Sequence, residues 1–233
     1  MIKVIVFDLD GTLLNTEFLK GKSYAEAINR LTNNAIAIET VIKVYDKYVG
    51  SSRKSVLNNL MHDFKNELQE SNNDLSLAAI KKKLLNERLK VYDKLLSNPQ
   101  VITSIAFTEV LALLIKVSKM GYPIALATMS EKDHTFTILK ALNIDDKFNL
   151  ILTAGDVRNG KPDPEIYLKI SSFFKVKGAE CLVIEDSENG IKAAMGAGMN
   201  VIEIPRNLTG KPVNTAHVLS TEFLSLFWQT VFK

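Results

Sequence analysis

Met1 to Leu14 reads Met-Ile-Lys-Val-Ile-Val-Phe-Asp-Leu-Asp-Gly-Thr-Leu-Leu, and this stretch decides the fold. Ile2 to Phe7 is short, nearly all apolar and rich in β-branched residues, the composition of a strand buried on both faces of a parallel sheet. Asp8 and Asp10 follow at once, and Gly11 permits a sharp turn after them. Both acids therefore belong at the carboxyl end of a central strand, the edge at which open parallel sheets bind ligands. Two carboxylates this close raise each other's pKa unless a cation lies between them. Two readings stand at this point: the pair caps a turn or helix, or it shares a hard cation such as Mg²⁺.

Downstream, Asn15 to about Leu96 changes to long helical patterns with no strand. The candidate helices are Phe18 to Leu31, Thr40 to Val49, Lys54 to Phe64 and Leu77 to Leu95. Val56, Leu57, Leu60, Met61 and Phe64 recur at three- and four-residue spacing and form one packing stripe. Ser71-Asn72-Asn73-Asp74 reads as a polar loop, and Ser97-Asn98-Pro99 as the end of the last helix. Lys81-Lys82-Lys83 reads as a solvated helix face rather than a nucleic-acid patch. The expected organisation is an α/β core from residues 1–14 and 99–233, interrupted by an inserted helical cap at 15–98.

From Thr108 onward helix and strand alternate. Helices are expected at Thr108 to Lys119, Thr135 to Leu142, Pro164 to Phe174 and Gly190 to Gly198. Strands are expected at Pro123 to Ala127, Leu150 to Thr153, Cys181 to Ile184 and Val201 to Ile204. With the opening strand this gives a doubly wound, mainly parallel, Rossmann-like sheet of five strands. His217-Val218-Leu219 reads as a short edge strand, and Phe223, Leu226, Phe227 and Trp228 as residues that close a helix onto the sheet.

Three further polar sites follow strands and so gather at the edge that carries Asp8 and Asp10. Thr128 ends its strand, and its hydroxyl with the next backbone N–H, that of Met129, can hold phosphate oxygens or merely satisfy the strand end. Lys161 lies in Gly-Lys-Pro-Asp-Pro, where two prolines fix the backbone and aim the ammonium; the plain alternative is a surface lysine. Glu185-Asp186 ends another strand, and Asp186 reads either as a helix cap or as a metal ligand.

The order Asp-x-Asp-Gly-Thr, Thr, Lys-Pro, Glu-Asp resembles the haloacid dehalogenase superfamily, and within it the β-phosphoglucomutase-like and phosphoglycolate-phosphatase-like branch. The resemblance implies that Asp8 attacks phosphorus to form an aspartyl-phosphate and that Asp10 is the acid and base. It implies that Asp8, the backbone carbonyl of Asp10 and Asp186 hold Mg²⁺, with Glu185 bound to it or directly behind. Thr128, Met129 and Lys161 would bind the phosphoryl group. Members that cleave carbon–halogen bonds lack an acid at the second position, so Asp10 argues against a dehalogenase.

In the cap, Arg53 of Val-Gly-Ser-Ser-Arg resembles a loop that contacts a second phosphate or a sugar, or else is a solvated helix start. Lys20 stands where the sugar-phosphate mutases carry a histidine, which disfavours mutase chemistry and leaves hydrolysis intact. Ala106-Phe107-Thr108-Glu109 lacks the Pro-Gly common where the cap rejoins the core. The implied activity is Mg²⁺-dependent hydrolysis of a small phosphomonoester, with a β-phosphoglucomutase as the nearest rival and a non-catalytic phosphate-binding regulator as another.

Bulk properties fit that reading. The 233 residues carry 29 basic and 26 acidic side chains, a net +3 that gives no reason to expect a nucleic acid or membrane partner. The lone Cys181 excludes an internal disulfide and fits a buried residue in a reducing compartment. No basic leader precedes the first strand, and a cytoplasmic monomer or weak dimer is expected. His62, His134 and His217 match no motif and read as surface or packing residues.

Overall fold

A computed structural model describes residues 1–49, 51–204 and 221–232. It divides into two compact units, one from residues 1–15 and 99–233 and the other from residues 16–98.

The first unit is built on a five-stranded parallel sheet. Its strands are β1 (Val4–Phe7), β2 (Ile124–Ala127), β3 (Leu150–Leu152), β4 (Cys181–Glu185) and β5 (Asn200–Glu203), in the order β3-β2-β1-β4-β5. β1 lies at the centre, pairing on one side with β2 (Phe7 opposite Leu126) and on the other with β4 (Phe7 opposite Ile184). Chain order runs outward to β3, then crosses back to β4, so the direction of winding reverses beside β1. Such a reversal opens a crevice at the carboxyl ends of the strands.

Side chains alternate across a strand. Val4 and Val6 share a cluster with Ala125, Ala127, Ile166, Tyr167, Ile170, Ala193 and Ala194 on one face. Ile5 and Phe7 point to the other face and are equally buried, so the sheet is covered on both sides, as parallel sheets require.

Surrounding helices of this unit are α6 (Pro99–Ser104), α7 (Thr108–Lys119), α8 (Lys132–Ala141), α9 (Glu165–Phe174), α10 (Glu188–Gly196) and α11 (Thr221–Val231). Of the residues expected to close α11 onto the sheet, Phe227 is fully buried and Trp228 half-buried, whereas Leu226 is exposed, and the Phe223 side chain lies outside the described residues. The expected edge strand at His217 lies outside the described residues, as does Gly50 of the Arg53 loop. Ser97-Asn98-Pro99 ends α5, which stops at Leu96, but α6, which the sequence reading did not expect, begins at once on Pro99. Proline serves equally as a first helical residue, where its missing N–H is not needed.

The second unit holds α1 (Thr16–Leu31), α2 (Ile38–Tyr45), α3 (Arg53–Asp63), α4 (Lys65–Glu70) and α5 (Leu77–Leu96). The stripe Val56, Leu57, Leu60, Met61 and Phe64 joins Tyr24, Ile28, Val41, Ile80 and Leu84 in a core of its own. α4 was not legible because Phe64, at φ −112° and ψ 27°, breaks the helix that then restarts.

Asn72, read as part of a plain polar loop, is buried and donates to the carbonyls of Leu31 and Leu68 at 2.9 Å each. Lys83 donates to Asn72 Oδ1 at 2.9 Å, so the lysine run is not wholly a solvated face. Where the chain leaves and re-enters the first unit, Leu14 bridges Ala106 in antiparallel fashion. The Asn15 N–H donates to Ile105 at 2.9 Å and the Phe107 N–H to Leu13 at 2.9 Å. Paired backbone thus holds the junction that lacks Pro-Gly.

Candidate active site

Asp8 extends β1 by one residue, its N–H donating to the Ile184 carbonyl at 3.1 Å. The register that sets Phe7 opposite Leu126 and Ile184 places Asp8 between Ala127 and Glu185. Lys161 enters this gap from the loop before α9. Its Nζ donates to Asp8 Oδ1 at 2.7 Å, Glu185 Oε1 at 2.6 Å and the Ala127 carbonyl at 3.0 Å, which uses all three ammonium protons. Only 5% of its side chain is exposed, so the reading of a surface lysine does not hold.

Lys161 is aimed by its loop. Both oxygens of Glu165 accept from the Arg158 N–H and one from the Asn159 N–H, while Lys169 pairs with the same carboxylate at 3.0 Å. These backbone donors hold Glu165 at a pKa of about 2.

Glu185 is also saturated. Oε1 accepts from Lys161 and, at 3.5 Å, from the Tyr167 hydroxyl; Oε2 accepts the Ser187 N–H at 2.7 Å and hydroxyl at 2.8 Å. Ser187, not Asp186, caps α10, its hydroxyl accepting the Gly190 N–H at 3.0 Å. The capping alternative for Asp186 is therefore overturned: its carboxylate lies at Gly11, in the turn after Asp10, and accepts the Thr12 hydroxyl at 3.5 Å. Gly11 has φ +90°, and a Cβ there would overlap the Asp186 carboxylate. Gly190 is constrained in the same way by Glu185.

Oxygens of Asp8, Glu185 and Asp186 lie within 4.8 Å of one another, all three residues buried. Against these and Asp10, the structure sets the one ammonium of Lys161. Burial pushes the Asp8 pKa well up; Lys161 opposes this, while Glu185, Asp186 and Asp10 add to it. Burial alone would depress Lys161, yet Asp8, Tyr167 and Glu185 outweigh it and keep the ammonium charged well above the ordinary lysine range. An oxygen-only donor set with excess negative charge fits a hard divalent cation.

Asp10 accepts two hydroxyls at Oδ2, from Thr128 at 3.2 Å and Ser130 at 2.6 Å. Thr128 is fully buried, whereas the Met129 side chain is exposed and lies over Gly160. Sequence reading missed Ser130, Tyr167 and Ser187. The signal for Ser130 was its place as a second hydroxyl two residues beyond Thr128, in the same short segment after β2.

The two cap candidates lie in the second unit. Arg53 is exposed at the first position of α3, and its carbonyl accepts the Tyr24 hydroxyl at 3.5 Å. Lys20 pairs with Glu17 at 2.7 Å, and the other oxygen of Glu17 accepts the Tyr45 hydroxyl at 2.8 Å. Arg88, not singled out by sequence, is 4% exposed, and no carboxylate among the described residues pairs with it. Its guanidinium lies over the rings of Tyr92 at 4.6 Å and Tyr24 at 5.2 Å, with Nε buried and unbonded.

Of the histidines, His62 is exposed and His134 half-buried, and His217 lies outside the described residues. Cys181 is buried in β4, where burial pushes its thiol up to about 11. No helix among the described residues is long and apolar enough to cross a membrane.

Residues 2–198 match the family of haloacid dehalogenase-like hydrolases. A phosphorylated carbohydrates phosphatase of Thermotoga maritima is 30% identical, over 86% of this chain and 84% of its own. A β-phosphoglucomutase of Bacillus subtilis is 29% identical over 87% and 83%. The crystal structure of a β-phosphoglucomutase from Clostridium difficile superposes with a TM-score of 0.60 at 26% identity, covering 100% of this chain and 99% of that one. The chain belongs to the haloacid dehalogenase-like hydrolase family and is a phosphohydrolase.

Proposed function

We propose that the protein hydrolyses a small phosphomonoester, a sugar phosphate or the phosphate of a small organic acid, through an aspartyl-phosphate on Asp8 with Mg²⁺ as cofactor. One observation carries this reading: Asp8, at the tip of the central strand, shares a buried lysine with Glu185 and lies beside Asp186. A carboxylate is a weak nucleophile, and orientation and charge neutralisation supply most of its rate. Lys161 fixes one oxygen of Asp8, which orients the carboxylate for in-line attack on phosphorus. Once phosphoryl oxygens arrive, Lys161, the Thr128 hydroxyl and the Met129 N–H take them.

Asp10 protonates the leaving oxygen and then takes a proton from the attacking water. Asp8, Asp186 and the Asp10 carbonyl would hold Mg²⁺, and Glu185, with both oxygens already bonded, orients Lys161 and the start of α10 behind them. When bound, the cation offsets the charge of the transferring phosphoryl group.

Residues 15–98 act as the cap that sets specificity and excludes water, with Arg53 and Lys20 as substrate contacts. A reducing, cytoplasmic setting agrees with the single buried thiol. The mutase alternative is favoured by the Bacillus subtilis relative and opposed by Lys20, which is tied to Glu17.

The test is phosphate release from a panel of phosphomonoesters, with and without Mg²⁺, alongside glucose 1-phosphate conversion. Mg²⁺-dependent release of free phosphate supports the phosphatase reading. Conversion to glucose 6-phosphate with little free phosphate, stimulated by a sugar bisphosphate, would replace it with the mutase. Phosphate binding without turnover of any ester would make the protein a non-catalytic regulator.

A further inference from the structure

Asp10 is gripped by two residues of one short segment. Ser130 Oγ donates to Asp10 Oδ2 at 2.6 Å and Thr128 Oγ1 donates to the same oxygen at 3.2 Å, while the Ser130 N–H donates to Thr128 Oγ1 at 3.0 Å. Two O–H donors occupy the lone pairs of Oδ2. A proton carried by Asp10 in this arrangement resides on Oδ1.

Thr128 is claimed twice. In the mechanism above its hydroxyl turns to a phosphoryl oxygen, and it then no longer restrains Asp10. Ser130 carries no such second claim, and its bond to Asp10 is the shorter of the two, as expected for a hydroxyl donating to a carboxylate.

We infer that Ser130 is the positioning residue of the acid–base step. Its hydroxyl holds Oδ2 throughout the reaction, so that Oδ1 is the oxygen that gives and takes the proton. The inference rests on the reading of Asp10 as acid and base. As the bond from phosphorus to the leaving oxygen breaks and the bond to Asp8 forms, the proton on Asp10 Oδ1 passes to the leaving oxygen and Asp10 becomes a carboxylate. Water then bonds to phosphorus, its proton returns to Oδ1, the phosphorus–Asp8 bond breaks and phosphate departs. Ser130 itself exchanges no proton.

A residue that only shapes the pocket affects every ester alike, whereas one that aims an acid matters most where the leaving group needs a proton. An alkyl phosphate needs it; 4-nitrophenyl phosphate, whose phenolate leaves readily, needs it far less. Since kcat/KM reports the route to the first transition state from free enzyme and ester, the experiment compares this constant for the two esters. The proteins are wild type, Ser130→Ala, Ser130→Gly and Ser130→Thr.

The expected result is a fall in both hydroxyl-deleted variants that is about tenfold greater for the alkyl ester, with discrimination restored in Ser130→Thr. Equal losses for the two esters, or no loss, would overturn the inference and leave the phosphatase reading standing. A wild-type protein inert to both esters would overturn the reading and the inference with it.

Discussion

Replacing Lys161 with methionine removes one positive charge from a buried group of acids and keeps most of the side-chain volume. Lys161 is 5% exposed, and its two ion pairs measure 2.7 Å and 2.6 Å. Removing one partner of a buried pair costs about 3–5 kcal/mol, because the remaining charge is left uncompensated. For a chain of this size each kcal/mol lowers Tm by roughly 2–4 °C, so the metal-free variant should melt roughly 6–20 °C below wild type.

A bound divalent cation supplies part of the missing charge, so the variant gains more from it than the wild type, whose acids are already partly neutralised by Lys161. The deficit should therefore shrink with Mg²⁺. The assay is thermal unfolding followed by circular dichroism at neutral pH, in chelator and in saturating Mg²⁺. An unchanged or higher Tm for Lys161→Met in chelator would refute the reasoning that the acids of this site depend on the lysine.

Glu165→Ala should abolish amide-exchange protection at Arg158 and Asn159. In the wild type, after correction for intrinsic exchange, that protection should hold above the ordinary glutamate value near 4.5 and fade as pH drops through about 2, because a depressed pKa stabilises only while the group stays ionised. Cys181, buried and raised to about 11, should resist thiol reagents at neutral pH and react on unfolding, as mass spectrometry of alkylated protein would show. Arg88→Met removes a buried charge that has no carboxylate partner among the described residues, and should leave stability in urea titrations unchanged or higher.

Sequence carried the sheet and its acidic edge because both are local signals. An apolar run of strand length ending in Asp-x-Asp-Gly leaves little choice of secondary structure, and Thr128 and Glu185-Asp186 also sit at strand ends, while Lys161 comes from the loop before α9. Strand order is not local: that β4 rather than β3 lies beside β1 depends on how the helices pack, and this order brings Glu185 to Lys161. The partners of Asp10 and Glu185 were hidden for a related reason, since Ser130, Tyr167 and Ser187 are ordinary residues whose meaning comes from what faces them.

Ser97-Asn98-Pro99 was legible as the end of α5 but not as the start of α6, because the same proline that marks a stop also suits a first helical position. Arg88 was legible in part. It continues the buried row Ile80 and Leu84 at four-residue spacing, so its position pointed inward even though its charge argued for the surface.

The central claim is that Asp8 becomes phosphorylated during turnover. Acid-quenching the enzyme with an ester substrate and Mg²⁺, reducing any acyl phosphate with borohydride, and mapping the peptides by mass spectrometry tests it directly. The account predicts homoserine at residue 8, absent without Mg²⁺ or ester. Turnover with an unmodified Asp8, or with the modification at another residue, would contradict it.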